Sequence, residues 1–337
     1  GSYLNPGNEA FAVALNSEIY VDKTGLLTYT NKVMNTLQGY ICNSRPRRFG
    51  KSFAANMLAA YYSKGCDSRK MFSGLAISQT ADFEKHLNQY DVIHLDIQWF
   101  LSNVSDPEQI VAYITECTLA ELRTIYADQL PPEVSTVPDA LSRIKEATGQ
   151  KFVIIIDEWD CIFREFKEDK TAQETYLDFL RSLLKDKNYI EMCYMTGILP
   201  IKKYGTHSAL NMFDEISMTQ SKPLANYMGF TEEEVSNLCR KHNVDYQKMK
   251  DWYDGYHMTD TISTFSPRSV VAAISKHDFS NYWTKTESFE ALKIYIDLNF
   301  DGLKDNIIQM MAGQEVYIDT SSFENDMSTF GSKDDVL

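Results

Sequence analysis

Five consecutive β-favouring apolar residues, Phe152-Val153-Ile154-Ile155-Ile156, run straight into Asp157-Glu158. A strand with one wet face alternates apolar and polar side chains. An unbroken apolar run therefore predicts a strand covered on both faces, as inside a parallel sheet. Parallel strands need crossover connections, and the chain supplies helical patterns between its strand-like runs. Gly39-Tyr40-Ile41-Cys42 is a short β-leaning run, followed by a helical face of Phe53, Met57, Ala60 and Tyr61 expected to stop at Gly65. Val92 to Ile97 reads as a second strand, before a long helix facing inward through Ile110, Tyr113, Ile114, Cys117, Leu122 and Ile125. A helix over about 172 to 185 carries Tyr176, Phe179, Leu180, Leu183 and Leu184 on one side. The run Ile190 to Met195 closes on Thr196-Gly197, and a weaker strand is expected at Ile216 to Thr219. The fold class expected over residues 1–228 is α/β, with right-handed crossovers and a mostly parallel sheet.

Between the first strand and its helix lies Asn43-Ser44-Arg45-Pro46-Arg47-Arg48-Phe49-Gly50-Lys51-Ser52. It resembles the phosphate loop G-x-x-x-x-G-K-[ST], with arginine where the first glycine belongs. Glycine there permits a tight turn with positive φ, which arginine resists, while Pro46 pins a neighbouring dihedral. The strand-to-helix position is the one a phosphate needs, because free N–H groups and the helix dipole attract anions.

A triphosphate site needs amide donors, a lysine, a hydroxyl for Mg²⁺, a metal carboxylate and a group that orients water. Phe49, Gly50, Lys51 and Ser52 would supply the amides, Lys51 the charge, Ser52 the hydroxyl, Asp157 the metal carboxylate and Glu158 the base. Phe53 is counted with the loop, and Arg45 among its nucleotide-binding residues. Arg47 and Arg48 read equally as phosphate contacts or solvent-facing cations. Thr196 reads equally as a γ-phosphate sensor or as a threonine satisfying a strand end.

Composition narrows the alternatives. The net charge is -14, against the lysine- and arginine-driven affinity that nucleic acids demand, although four basic residues fall within positions 45 to 51. The six cysteines are dispersed, with no C-x-x-C pair, which favours a reducing cytoplasm over structural zinc. No apolar run has the length of a membrane span. Neither G-x-S-x-G nor H-E-x-x-H occurs. Gly1-Ser2 reads as a cleavage scar.

After Gly229 the texture changes. Thr231-Glu232-Glu233-Glu234 forms a capping box, and Ser266-Pro267 places serine at an N-cap with proline at N1. Residues 229–318 are expected to form a small, mostly helical lid, with Trp252-Tyr253-Asp254-Gly255-Tyr256 packing its core around a turn. Residues 319–337 read as a linker towards a further domain.

Taken together, Gly7 to Phe11, Tyr20-Val21-Asp22-Lys23-Thr24, Arg45 to Ser52, Asp157-Glu158, Gly229-Phe230-Thr231, Trp252 to Tyr256 and Phe265-Ser266-Pro267 resemble the predicted AAA-ATPase-like family of bacteria. The resemblance spans nearly the whole chain. It implies a P-loop NTPase of the additional-strand type with a helical lid, in which arginine replaces the first loop glycine habitually. It implies ATP and Mg²⁺ as cofactors, and places Tyr20, Val21 and Asp22 beside the adenine. From the residues alone, that segment reads as a base-flanking stretch or as an edge strand. After Thr196-Gly197 many relatives carry Val-Ser-Arg-Ile, where this chain has Ile198 to Lys203; Lys202 or Lys203 would be the substitute cations. The partners implied are ATP or ADP and a C-terminal nuclease-like domain of the PD-(D/E)XK type in a longer protein; a homo-oligomer is left open. The two functional expectations are an ATPase that regulates this effector and a nucleotide-gated switch with negligible turnover.

Overall fold

The computed structural model describes residues 1–199, 201, 210–217, 220–259, 262–282, 302–312 and 314–318, with backbone alone at 254–259, 304 and 311. Lys202, Lys203 and the tail 319–337 lie outside the described residues. The chain divides into two compact units, Gly1–Met228 and Gly229–Leu337.

In the first unit, β3 (Phe152–Asp157) is buried at every position, as its unbroken apolar run predicts. It pairs in parallel with β2 (Asp91–Asp96) on one side and β4 (Ile190–Gly197) on the other. β4 in turn pairs with β1 (Tyr40–Ser44), and β1 with β5 (Asp214–Ile216). The five-stranded order is β2-β3-β4-β1-β5, so β4 is the additional strand between the loop-bearing β1 and the acidic end of β3.

Alternation along the strands sends side chains to two separate cores. Ile93, Leu95, Ile154, Ile156, Cys193 and Met195 join the helices Ile110–Ile125, Val137–Thr148 and Lys170–Leu184. Ile41, Val92, Val153, Ile155, Met192 and Tyr194 face the helices Gly25–Val33 and Lys51–Tyr62. The second helix ends at Tyr62, earlier than the expected Gly65, with Ser63 already extended at φ -61°, ψ 123°. The weak last strand is also displaced, to Asp214–Ile216.

The free edge of β2 is covered by the chain's own start. The Asn5 N–H donates to the Val92 carbonyl at 2.7 Å and the His94 N–H to the Tyr3 carbonyl at 2.8 Å. Glu121 accepts from the Ser2, Tyr3 and Leu4 amides at 2.7, 2.9 and 2.7 Å. An otherwise exposed row of backbone donors and acceptors is thereby paired.

The second unit contains the helices Glu232–Lys241, Tyr246–Tyr253, Pro267–Lys276 and Leu303–Met311. It also contains an antiparallel sheet, β6-β8-β7, of Phe230–Thr231, Ile262–Phe265 and Asp254–Thr259, which the helical reading did not predict. The capping box closes as expected: Thr231 Oγ1 accepts from the Glu234 amide and the Glu234 carboxylate from the Thr231 amide. Ser266 is an N-cap by position only, making no side-chain capping bond. The aromatic block is divided between a helix end and a strand. Trp252 is exposed, whereas Tyr253 is buried, stacks on Phe279 at 6.3 Å and donates to the Ser280 carbonyl at 2.7 Å. The Asp254 to Tyr256 side chains lie outside the described residues.

Candidate nucleotide site at the carboxyl edge of the sheet

Register brings the candidate residues to one edge. Ser44 lies opposite Gly197, Ile156 opposite Met195, and Asp96 opposite Asp157. The segment after β1 and the Asp157-Glu158 pair therefore emerge beside the end of β4. Ligands of open α/β sheets sit outside the carboxyl ends of strands, for this geometric reason.

The loop leaves β1 with the Arg45 amide donating to the Gly197 carbonyl at 3.0 Å and re-enters a helix at Lys51. Its left-handed residues are Arg48 at φ 73° and Gly50 at φ 87°, and Arg45 is not one of them. Arginine at 45 is thus spared the strain expected from the missing glycine. A Cβ at Gly50 would meet nothing within 4 Å, so the glycine answers to φ and not to crowding. The first N–H groups of the helix, at Lys51 and Ser52, have no intrahelical acceptor and point out of its N-terminus.

Lys51 is buried, and its Nζ donates to the carbonyls of Arg45 and Pro46, both at 3.1 Å, which curls the side chain over the loop. It also lies 3.8 Å from Glu158 Oε1. Burial lowers the Lys51 pKa, with Glu158, Asp160 and Asp157 opposing that shift. Ser52 is exposed at the helix start, while Phe49 is buried. Arg47 and Arg48 are exposed on the loop.

Arg45 turns inward instead. It is fully buried, its Nη1 donates to the Ser44 carbonyl at 3.2 Å, and Nε and Nη2 find no hydrogen-bond partner among the described residues. Burial pulls its pKa down to about 10, with Tyr194 opposing.

At the end of β3 the Thr196 hydroxyl donates to Asp157 Oδ1 and accepts from the Glu158 amide at 3.3 Å. The threonine thus orients the buried carboxylate and pins the turn that follows it. Glu158 adopts φ 55°, an unusual region for a side chain of its size. Its carboxylate accepts from Arg164 Nη2 at 2.5 Å, so that Lys51 and Arg164 flank it. Burial raises the Glu158 pKa against those two cations.

The N-terminal segment is neither strand nor free loop. Tyr20 packs against Phe53 with ring centroids 6.2 Å apart, beside the loop-bearing helix, and Val21 is half-buried. Burial raises the Tyr20 pKa, and its hydroxyl finds no partner among the described residues. Asp22 is committed to protein donors: Oδ1 accepts from the Thr24 amide at 2.8 Å and hydroxyl at 2.6 Å, and Oδ2 from the Ala76 amide at 2.7 Å.

Sequence reasoning missed Asp160 and Arg164. Their i,i+4 spacing is a helix-pairing signal, and Arg164 Nε lies 3.2 Å from Asp160 Oδ2. Among the described residues, no group of three or more His, Cys, Asp or Glu side chains is arranged to hold a metal. No described helix is long and apolar enough to cross a membrane.

Comparison with known proteins follows the same lines. A curated "Uncharacterized protein in vnfD 5'region" of Azotobacter chroococcum mcd 1 is 24% identical over 274 residues, covering 79% of this chain and 50% of the relative. The chain thus spans half the length of that relative. A solved structure of the replication initiator DnaA bound to AMPPCP and single-stranded DNA covers 90% of this chain and 74% of its own, at 10% identity and a TM-score of 0.38. That likeness is too loose to carry an argument. The model of the predicted AAA-ATPase family matches residues 9–206, and with the β2-β3-β4-β1-β5 sheet and its loop this chain belongs to that family.

Proposed function

We propose that the chain binds ATP with Mg²⁺ and hydrolyses it, and that its nucleotide state regulates an effector segment in a longer protein. The observation that carries this reading is the meeting of Lys51, Asp157, Glu158 and Thr196 at the carboxyl edge of β1, β3 and β4. Lys51 and the first helical N–H groups would hold phosphate oxygens. Ser52 and Asp157 would hold the cation. Their all-oxygen donor set suits Mg²⁺, which takes few protein ligands and completes its shell with water and phosphate. When bound, the cation would neutralise charge on the phosphates.

Glu158 would orient the attacking water and accept its proton, and Thr196 would fix the Asp157 carboxylate. Arg47, Arg48 and Phe49 would complete the phosphate cradle, with Arg45 supporting it from beneath. Tyr20, Val21 and Phe53 would flank the base, and Asp22 would shape their turn because its oxygens are already engaged. Support for an appended effector comes from the relative, half of which lies outside the shared segment. All six cysteines are free, which supports a reducing, cytoplasmic setting.

One observation favours the second reading, a switch with negligible turnover: the Glu158 carboxylate is already engaged by Arg164 and Lys51. Phosphate release by wild type, Lys51→Ala and Glu158→Gln separates the two. The ATPase reading expects turnover in wild type, lost in both variants and on removing Mg²⁺ with EDTA. Tight nucleotide retention without multiple turnover would favour the switch, and equal turnover in all three proteins would sink the site assignment.

A further inference from the structure

The turn that carries Glu158 is fastened to the exit of β4 along its length. The Glu158 amide donates to Thr196 Oγ1 at 3.3 Å and the Trp159 amide to the Thr196 carbonyl at 2.9 Å. Asp160 is fully buried, and its Oδ2 accepts from the Ile198 and Leu199 amides at 2.9 and 2.7 Å. Gly197 permits this approach: a Cβ there would come within 2.5 Å of Trp159 Cδ1 and 2.9 Å of Asp160 Oδ1.

From the same Asp160 oxygen the chain of contacts returns to the site. Arg164 Nε lies 3.2 Å from Asp160 Oδ2, while its Nη2 donates to Glu158 Oε2. The guanidinium thus bridges a buried carboxylate that reads the backbone after β4 and the carboxylate assigned to water.

We propose that Asp160 and Arg164 form a positioning relay, through which the backbone at Ile198 and Leu199 sets where the Glu158 carboxylate stands. The inference rests on the reading of Glu158 as the water-orienting base. A neutralising role for Arg164 would require only the contact to Asp160. The second hand, on Glu158, is what a relay adds, and a guanidinium reaches both carboxylates, Glu158 through a hydrogen bond and Asp160 through an ion pair, where an ammonium reaches one. Movement of the segment after β4 would pull on Asp160, rotate Arg164 and displace Glu158. Asp160 and Arg164 themselves contact Glu158 and the backbone after β4 and not the loop amides, so their substitution is expected to act on turnover more than on nucleotide affinity.

The test uses single-turnover ATP hydrolysis with protein in excess, alongside ATP affinity and thermal stability, for wild type, Arg164→Lys, Arg164→Gln, Asp160→Asn and Glu158→Gln. Arg164→Lys is expected to keep stability and ATP affinity within twofold, because a cation still faces Asp160, yet to slow the chemical step by about tenfold, a part of what a general base supplies. Asp160→Asn keeps an acceptor for the Ile198 and Leu199 amides and is expected to slow the step similarly. In the Glu158→Gln background Arg164→Lys is expected to have no further effect. A rate loss in Glu158→Gln alongside wild-type rates in folded Arg164→Lys and Asp160→Asn overturns the relay and leaves the base assignment standing. Wild-type rates in Glu158→Gln, or no hydrolysis by wild type, overturn both. Losses that only track the unfolded fraction, strongest in Arg164→Gln, reduce Arg164 to a neutralising role and overturn the relay.

Discussion

Gly50 sits at φ 87° where the loop turns into its helix, and no protein atom would crowd a Cβ there. Gly50→Ala is therefore expected to cost about 1 kcal/mol in chemical denaturation, from a strained left-handed alanine. Thr196→Val is expected to cost about 1 to 3 kcal/mol in the same measurement, because it removes the hydroxyl that serves Asp157 and the Glu158 amide at once. A midpoint unchanged from wild type would remove Thr196 from the network. At this scale residue types were legible and conformations were not. Arg48 and Glu158 carry positive φ without any glycine to mark it, while Arg45, which the motif flags as the strained position, carries none. A motif records chemistry at a position, whereas φ is shared out along the whole loop by its anchors. Asp160 and Arg164 escaped because their roles need the end of β4 folded against them.

Elements with strong patterns were read closely, and short ones were not. The run in β3 and the face of Lys170–Leu184 recur in the fold, and that of Ile110–Ile125 recurs through Ile110, Ile114 and Leu122 but not at its end, where Ile125 is exposed, because many residues vote for each period. The two-residue β6 has no period to read, and β7 follows directly on the helix Tyr246–Tyr253. The sheet of the second unit was hidden for that reason. Tyr3 to Asn5 covering β2 was equally invisible, since pairing across such sequence distance leaves no local trace. The capping box was legible because its chemistry is local, and Thr231→Ala is expected to lower stability by about 1 kcal/mol in the second unit. Differential scanning calorimetry reads that loss.

His86 tests an element of the first unit. It ends the short helix Phe83–His86, with Nδ1 2.6 Å from the Tyr90 hydroxyl, and burial lowers its pKa. The unfolded chain then binds the proton more readily, so stability from neutral His86 is present above the unfolded pKa of about 6.5 and fades as pH falls below it. His86→Gln is expected to flatten the thermal midpoint between about pH 6.5 and 5. An equally steep acid loss in the variant would assign that slope to other groups.

For the molecule as a whole, charge and topology act on different questions. The formal charge of -14 predicts no salt-sensitive DNA binding at physiological ionic strength, despite the loop arginines, and fluorescence anisotropy with a labelled duplex checks it. The parallel sheet, with β4 inserted between β1 and β3, sets the loop lysine 3.8 Å from Glu158 across strands far apart in sequence. That convergence brings the acidic end of β3 and the arginine-rich loop to one edge of the sheet. Its most direct test is calorimetric titration of MgATP into wild type and Lys51→Ala, folded to the same extent. Micromolar affinity in wild type with at least a tenfold loss in the variant is the expected result, since each 1.4 kcal/mol of phosphate contact is worth about tenfold. Equal affinity in the two proteins would contradict a phosphate site at this loop.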